Sequence, residues 1–226
     1  MFDVILVMAG SGERSGLPYN KNLYKIKNKP LFRYSMDLFL HIPQCHKIIM
    51  VVNKKDFSVV RDAVIDVETA KFKVVLGGPR RQDSVAKGIK QAETDMVLIH
   101  DAARPLLTED MIYKLYDKSQ SVDCAVLAVK AIDTVYRFNS KDVELLNRDE
   151  LWHIQTPQAI RLSLLKKAFD IAVKENLTFT DDVGMLIKQF GIKPEIVEGS
   201  YDNIKVTYER DLRIVEYMIE RGYYGI

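Results

Sequence analysis

The sequence contains few of the residues and segments that mark secreted, metal-binding or membrane proteins. Of 226 residues only two are cysteines, Cys45 and Cys124, and neither has a His or a second Cys at metal-ligand spacing, so neither a disulfide framework nor a zinc site is indicated. No apolar stretch approaches the roughly 18 residues that cross a membrane. No basic segment precedes the first apolar run, as it would in a signal peptide. We therefore expect a soluble, cytoplasmic chain without a membrane partner.

The charges are almost balanced. The 33 basic and 31 acidic residues leave a net charge of +2, which gives no global electrostatic reason to expect a nucleic acid partner. With 47% hydrophobic residues, a chain of this length is expected to form one domain over residues 1–226.

Apolar runs of strand length alternate with amphipathic stretches of helix length. This alternation predicts an α/β fold, a Rossmann-like three-layer arrangement with helices on both faces of a mostly parallel sheet. The predicted strands are Val4 to Met8, Lys47 to Val52, Phe72 to Leu76, Met96 to His100 and Cys124 to Val129. The predicted helices between them are Pro30 to Leu40, Asp56 to Val67, Asp83 to Ala92 and Glu109 to Ser119.

The alternation breaks at about residues 131–157. The pieces "AIDTVYRF" and "ELWHIQTP" flank polar, turn-like segments with no helix between them, which predicts an inserted antiparallel β-arm, an extension that often serves dimerisation. Beyond the arm we predict helices over Leu162 to Lys174, within "TDDVGMLIKQFG" and over Arg210 to Arg221. Short strands are expected at Glu195 to Val197 and Asn203 to Val206.

The first predicted strand leads directly into the glycine-rich loop "AGSGERSG". Such a loop is either a tight turn or a cradle whose backbone N–H groups converge on phosphate oxygens. Its spacing fits neither the P-loop nor the dinucleotide fingerprint, because Ser15 stands where the latter requires glycine. Arg14 within the loop and Lys21 beyond it favour the phosphate interpretation, since they supply positive charge.

Three further motifs follow predicted strands. "GGPRRQDSV" begins at Gly77, "HDAARP" places Asp101 at a strand end, and "DNIKVT" adds Asp202 and Lys205. Ligands of open α/β sheets collect at the carboxyl ends of the strands. Two aspartates beside phosphates suit Mg²⁺, which prefers oxygen ligands.

The order of these motifs resembles the 2-C-methyl-D-erythritol 4-phosphate cytidylyltransferases of the non-mevalonate isoprenoid pathway. The resemblance also includes "DTVYR", "NRDELWHIQTPQA" and "TDDVGML", and it extends from Ile5 to about Leu212. It implies transfer of CMP from CTP to methylerythritol phosphate with release of pyrophosphate, Mg²⁺ or another divalent cation as cofactor, and a homodimer whose arm completes the partner's active site.

The resemblance also implies roles for individual residues. The catalytic residues would be Arg14, Lys21, Arg148 and Lys205. The nucleotide would contact Met8, Ala9, Gly10, Ser11, Gly12, Gly77, Gly78, Arg81, Ser84, Asp101 and Ala102. The acceptor would contact Thr134, Arg148, Thr156, Asp202 and Lys205, and the metal would bind Asp101 and Asp202.

The chain departs from the family pattern near the glycine loop. A usual alanine is replaced by Met8, which would put a large side chain beside the nucleotide loop, and the common "PKQ" is Asn20-Lys21-Asn22. The usual methionine after "GER" is Ser15.

Three other functions remain open. One is the same chemistry on ribitol 5-phosphate or another polyol phosphate, a second is a sugar-phosphate nucleotidyltransferase, and a third is a nucleotide-binding regulator without catalysis. The four histidines form no recognisable triad with Ser or Cys, and a phosphate monoester, largely a dianion near neutral pH, needs no general base.

Overall fold

The predicted apolar runs form the strands of a central sheet. The structure is a computed structural model and describes residues 1–10 and 13–222. Its strands are β1 (Phe2–Val7), β2 (Lys25–Ile26), β3 (Lys29–Pro30), β4 (Cys45–Val52), β5 (Phe72–Leu76), β6 (Met96–Asp101), β7 (Cys124–Lys130), β8 (Tyr136–Phe138), β9 (Val143–Leu145), β10 (Trp152–Arg161) and β11 (Glu195–Glu198). Its α-helices are α1 (Leu31–His41), α2 (Phe57–Asp62), α3 (Arg81–Ile89), α4 (Glu109–Ser119), α5 (Leu162–Lys174), α6 (Asp182–Phe190) and α7 (Glu209–Glu220).

Within the described ranges, the main sheet has seven strands in the order β11-β7-β10-β6-β1-β4-β5. The neighbours β6, β1, β4 and β5 run parallel, and β11 runs parallel to β7. Only β10 runs antiparallel, to both β6 and β7. The predicted α/β fold with a mostly parallel sheet is therefore confirmed.

The two faces of the sheet carry two hydrophobic cores. Along β1, Val4 and Leu6 pack into one core and Ile5 into the other, as the alternation of side chains along a strand requires. Helices α1 and α4 cover the first face, and α3 and α5 cover the second. A third cluster joins α7 to the β2–β3 region. Because both faces are buried, the central strands consist of nearly continuous apolar residues.

The segment predicted as an arm divides into two parts. Strands β8 and β9 form a separate two-stranded antiparallel hairpin at 136–145. The residues from Trp152 onward belong instead to β10 in the main sheet, paired with β7 and β6. The arm expected to reach residue 157 therefore ends earlier, because the last part of "ELWHIQTP" finds its hydrogen-bond partners in the main sheet.

Two other expectations about elements are wrong. Asn203 to Val206 is not a strand: the Val206 N–H donates to the Ala103 carbonyl at 2.8 Å, a loop contact without a ladder. The helix expected to reach Val67 ends at Asp62 and continues as turns. Several residues of this stretch are β-branched, which lowers helix propensity. The helix in "TDDVGMLIKQFG" has the expected ends, the N-cap Asp181 and Gly191 with φ +65°.

Candidate active site

A cavity of about 1120 Å³ opens at the carboxyl ends of β1, β4, β5 and β6. The chain runs from β1 outward to β4 and β5 and then returns to the other side of β1 as β6. This reversal of strand order is the position where open α/β sheets bind their ligands. Its lining includes ten predicted site residues: Met8, Ala9, Gly10, Arg14, Lys21, Gly78, Arg81, Ser84, Asp101 and Lys205.

The end of β1 contributes the first wall. The Met8 N–H donates to the Val51 carbonyl at 3.0 Å, which keeps this backbone against β4. The Met8 side chain is buried in a hydrophobic core. Met8 also lines the cavity, so it borders the glycine loop while its side chain packs into the core. Ser11 and Gly12 lie outside the described residues, and Arg14 lines the cavity from a short 3₁₀ turn, Glu13–Ser15.

Lys21 begins a second 3₁₀ turn, Lys21–Leu23, whose N-cap is Asn20. Burial lowers the pKa of Lys21 below the ordinary lysine value, and the positive charges of Lys205 and Arg14 lower it further. Like charges held together in a cleft raise each other's energy, which an anionic ligand relieves.

Gly77 and Gly78, the two glycines after β5, lie too close to neighbouring atoms to be replaced by larger residues. A Cβ at Gly77 would lie 2.6 Å from the Ala9 Cβ and 2.8 Å from the Ser84 Oγ. A Cβ at Gly78 would overlap the Asp83 side chain. The backbone of both glycines lies against the start of α3, which leaves no space for a side chain at either position. The Gly78 N–H donates to the Ser84 Oγ at 3.1 Å.

Asp101, at the end of β6, is the centre of an ion-pair cluster. Lys205 Nζ donates to its Oδ2 at 2.5 Å, and Arg81 Nε lies 3.5 Å from its Oδ1. Burial alone would raise the pKa of Asp101, but the charges of Arg81 and Lys205 outweigh it and hold the pKa well below its usual range. Arg81 Nη1 also donates to Asp182 Oδ2 at 2.7 Å, which connects the start of α6 to the site.

The cavity is strongly positive. Seven cationic side chains line it, against the two carboxylates Asp56 and Asp101; the cations are Arg14, Lys21, Lys54, Lys55, Arg80, Arg81 and Lys205. Such a surface attracts anionic ligands. A smaller cavity of about 340 Å³, lined by Lys25, Asn28, Lys29, Pro30, Arg33 and Ala63, contains none of the predicted site residues.

The turn after β4 is the part of the site that the sequence reasoning missed. Asn53, Lys54, Lys55 and Asp56 all line the cavity, and so do Asn20 and Asn22. The signal was present, since "NKKD" directly follows a predicted strand. The rule that selected the other motifs, polar residues at the carboxyl end of a parallel strand, applies to it equally.

Among the residues that the structure describes, the other predicted ones do not line the cavity. Thr134 and Arg148 are exposed near the β8–β9 hairpin, and Arg148 Nη1 donates to the Ile132 carbonyl. Asp202 is exposed in the loop before Lys205. Ala102 and Gly77 are held beside the cavity by backbone hydrogen bonds to Val7 and Val52. Thr156 is buried behind the cavity and accepts the Asp101 N–H at 3.1 Å.

His100 supports this arrangement from behind. It is fully buried, its Nδ1 lies 3.1 Å from Thr156 Oγ1, and its Nε2 lies 3.2 Å from the Arg104 carbonyl. Burial lowers the pKa of His100 to about 4. Nε2 also lies 3.2 Å from Ser35 Oγ, whose hydroxyl donates to the Arg104 carbonyl at 3.1 Å. Both neighbours of Nε2 therefore accept, which assigns the proton to Nε2 and makes the Thr156 hydroxyl the donor to Nδ1.

Neither a preformed metal cluster nor a membrane helix occurs in the described residues. No group of three or more His, Cys, Asp or Glu there is arranged to hold a metal ion. No described helix has both the length and the apolar character needed to cross a membrane. Both cysteines are free and buried, and burial raises the pKa of each thiol to about 12.

Comparison with known proteins gives one consistent result. The family model for IspD, 2-C-methyl-D-erythritol 4-phosphate cytidylyltransferase, matches residues 2–221. A protein of that name from Bacillus velezensis is 38% identical over 217 residues, covering 94% of this chain and 93% of the relative. One from Halalkalibacterium halodurans is 35% identical over 218 residues, covering 95% of each.

Solved structures are similar over almost the whole chain. The 4-diphosphocytidyl-2C-methyl-D-erythritol synthase of Anaerococcus prevotii matches with a TM-score of 0.88 at 26% identity, covering 98% of this chain and 96% of that one. The cytidylyltransferase of Francisella tularensis matches with a TM-score of 0.79 at 33% identity, covering 96% and 98%. By sequence and by structure, this chain belongs to the 2-C-methyl-D-erythritol 4-phosphate cytidylyltransferase family.

Proposed function

We propose that the cavity transfers CMP from CTP to 2-C-methyl-D-erythritol 4-phosphate and releases pyrophosphate. The single observation that carries this proposal is the convergence of seven cationic side chains at the switch point of the sheet, the position where the strand order reverses. The triphosphate and the acceptor phosphate are both anions, and a cavity of about 1120 Å³ is of the size that accommodates small substrates. The names of the relatives supply the acceptor and the cytidylyl group that is transferred, and CTP is the donor that accounts for the release of pyrophosphate.

The proposed chemistry requires no general base on the protein. A phosphate monoester is largely a dianion near neutral pH, with a second pKa of about 6, so its oxygen attacks the α-phosphorus directly. His100, which is buried and hydrogen-bonded on both ring nitrogens, positions its neighbours instead. Rate enhancement then comes from in-line positioning and from cations that face developing negative charge.

Individual side chains take distinct parts in this proposal. Arg14 and Lys21 stabilise the charge on the phosphorus under attack and on the leaving pyrophosphate. The Gly10 backbone and the Gly78–Ser84 region hold the nucleotide. Lys205, fixed by Asp101 at 2.5 Å, faces the acceptor phosphate, and Arg81 holds Asp101 from the other side.

A divalent cation such as Mg²⁺ fits this cavity only together with the nucleotide. Asp101 lines the cavity and supplies one carboxylate, whereas Asp202 does not line it. Mg²⁺ commonly binds through one or two carboxylates plus substrate phosphates, so Asp101 and the triphosphate would hold it. When bound, the ion neutralises phosphate charge; the role of Asp202 stays a prediction.

The hairpin supports a homodimer with a shared site. Phe138 is 73% exposed and Leu145 is 62% exposed, and Tyr136 and Val143 are also exposed. Contiguous apolar side chains of this kind are typical of protein interfaces. Thr134 and Arg148 lie beside this hairpin and outside the cavity of their own subunit, as expected of residues that reach the partner's cavity. The two buried, free cysteines agree with a cytoplasmic location.

Pyrophosphate release tests the proposed function. The protein is mixed with CTP, Mg²⁺ and either methylerythritol phosphate or ribitol 5-phosphate, and pyrophosphate and the CDP-linked product are measured. We expect release that depends on methylerythritol phosphate. Faster reaction with ribitol 5-phosphate would establish the alternative acceptor, and CTP binding without release would indicate a regulatory protein. Replacing CTP by UTP or GTP tests the sugar-phosphate alternative.

A further inference from the structure

The side chain of Asn20 is buried and uses all of its hydrogen-bonding positions. It is 4% exposed. Its Nδ2 donates to the Met8 carbonyl at 2.9 Å and to Asp56 Oδ2 at 2.7 Å. Its Oδ1 accepts from the backbone N–H of Asn22 at 3.1 Å and from Asn22 Nδ2 at 3.0 Å. An asparagine side chain has two donor hydrogens and two acceptor lone pairs, so none remains for a substrate.

These hydrogen bonds join three separate segments of the cavity wall. Met8 lies at the end of β1, Asn22 lies directly after Lys21, and Asp56 lies on the turn after β4. Asp56 is itself fixed, because Asn53 Nδ2 donates to its Oδ2 at 2.6 Å and its N–H donates to Asn53 Oδ1 at 2.9 Å. One side chain thus sets the position of Lys21 relative to the other two segments.

We infer that Asn20 is a positioning residue of the nucleotide site, which acts through Lys21 and not by touching the substrate. The inference rests on the proposed function, since it assumes that Lys21 faces the triphosphate. Asn20 is the N-cap of the turn that begins with Lys21. Its two Nδ2 bonds anchor that cap to β1 and to the 53–56 turn, so that the backbone that carries Lys21 does not have to be ordered when the nucleotide binds.

The backbone angle of Asn20 allows a substitution that removes the side-chain hydrogen bonds and keeps the main-chain conformation. Asn20 has φ −61°, which is the angle that a proline ring imposes, and the resembling family usually has proline here. No hydrogen bond from the Asn20 N–H occurs among the described residues. Asn20→Pro therefore preserves the backbone angle and removes all four side-chain hydrogen bonds, and Asn20→Ala removes them without fixing the angle.

Steady-state kinetics of CMP transfer test the inference. We expect Asn20→Ala and Asn20→Pro each to lower kcat by roughly tenfold or more, because misplacement by about 1 Å is enough for a loss of this size. The KM for the acceptor phosphate should stay near the wild-type value. Thr108→Ala, which removes the N-cap of α4 outside the cavity lining, is the control for a loss of stability without a kinetic effect.

A double-variant cycle with Lys21 decides whether Asn20 acts through it. In a Lys21→Ala background, Asn20→Ala should cost less than about threefold, since coupled residues are not additive. The inference would be overturned if the kcat losses of Asn20→Ala and Lys21→Ala multiplied fully in the double variant. It would also be overturned if Asn20→Ala and Asn20→Pro both kept the wild-type kcat. If Asn20→Ala did not fold, Asp56→Asn, which removes the charge that Asn20 contacts, would be measured in its place.

Two different quantities test the proposed function and the role of Asn20. The wild-type rate of CMP transfer tests the proposed function, whereas the ratios of kcat between variants test the role of Asn20. If the wild type transferred no CMP, the proposed function would be wrong. The inference would then be decided by CTP affinity in calorimetry: weaker binding by Asn20→Ala, but not by Thr108→Ala, supports it, and equal binding contradicts it.

Discussion

Lys21 has unusual surroundings for a lysine. Burial and two neighbouring cations lower its pKa, although lysine side chains normally extend into water. Holding positive charges together costs free energy in the absence of a ligand. A bound triphosphate offsets that cost, because each phosphate oxygen attracts the ammonium groups around it.

The lowered pKa of Lys21 predicts a particular pH dependence. An ammonium with a lowered pKa loses its proton at a lower pH than an ordinary lysine, so kcat/KM for CTP should fall on the alkaline side below pH 10.5. Since a guanidinium stays charged at this pH, Lys21→Arg should move that decrease to higher pH. Lys25→Arg, an exposed position outside the cavity lining, should leave the profile unchanged. A decrease at the same pH in all three proteins would exclude Lys21 as its origin.

His100 provides a second prediction for a single residue. Because burial lowers its pKa to about 4, its ring should be neutral throughout the neutral range, with the proton on Nε2. Nitrogen-15 NMR of the histidine rings, recorded from pH 8 to pH 5, should show that the His100 imidazole keeps this tautomer and does not titrate. Titration of the His100 ring between pH 6 and 7 would show that His100 is not enclosed as described.

The sequence was sufficient to identify ten of the residues that line the cavity, but not the connections between them. Arg14, Lys21, Asp101 and Lys205 were expected together and line one cavity. The burial of Met8 against β4 and the hydrogen bond from Asn20 to Asp56 depend on segments about 30 to 50 residues away, and one-dimensional spacing does not contain that information. Roles assigned from the family resemblance stay predictions for each residue.

At the scale of elements, most strands and helices follow directly from local pattern. Leu162–Lys174 and Glu109–Ser119 match the prediction at both ends. One exception is β10, the first part of which was taken for an arm although the strand lies between β6 and β7. Alternation indicates a strand but does not identify its neighbours, since these are set by long-range hydrogen bonds and packing.

Helix α3 offers a test of how closely helix and sheet approach. A Cβ at Gly88 would lie 2.7 Å from Ile5 Cγ2 and 3.2 Å from Val51 Cγ2, both fully buried. Gly88→Ala should therefore lower the free energy of unfolding by about 1–3 kcal/mol through overpacking. Gly184→Ala in α6, whose nearest contact is 3.4 Å away, should be neutral or stabilising by up to about 1 kcal/mol. Urea denaturation measures the free energy of unfolding of both variants. Equal changes in the two variants would contradict the close contact of Gly88 with Ile5 and Val51.

At the scale of the whole molecule, the cavity and the hairpin belong to different regions of one subunit. The cavity lies at the switch point between β6, β1 and β4. The β8–β9 hairpin is a separate sheet with exposed apolar side chains, and Arg148 lies beside it. A dimer that inserts the hairpin near the partner's cavity would bury this surface and bring Arg148 to the acceptor.

Mixed dimers test the shared site. Arg14→Ala and Arg148→Ala proteins should each be nearly inactive, whereas a mixture that exchanges subunits should recover up to about a quarter of the wild-type activity. This follows because half of the dimers would then carry one intact site of two. Subunit exchange is verified by mass spectrometry. With exchange verified, a mixture no more active than its components would place Arg148 in its own subunit's site or outside catalysis.

The role of the cavity as the catalytic centre is tested most directly by the turnover of Arg14→Ala and Lys21→Ala. We measure kcat for CMP transfer from CTP to methylerythritol phosphate, with Lys25→Ala as the matched control and thermal unfolding as the check on folding. Each cavity variant should lose roughly 10²-fold or more in kcat while its unfolding temperature stays close to that of the wild type. Near-normal turnover in either folded variant would contradict the assignment of that cation to the reaction.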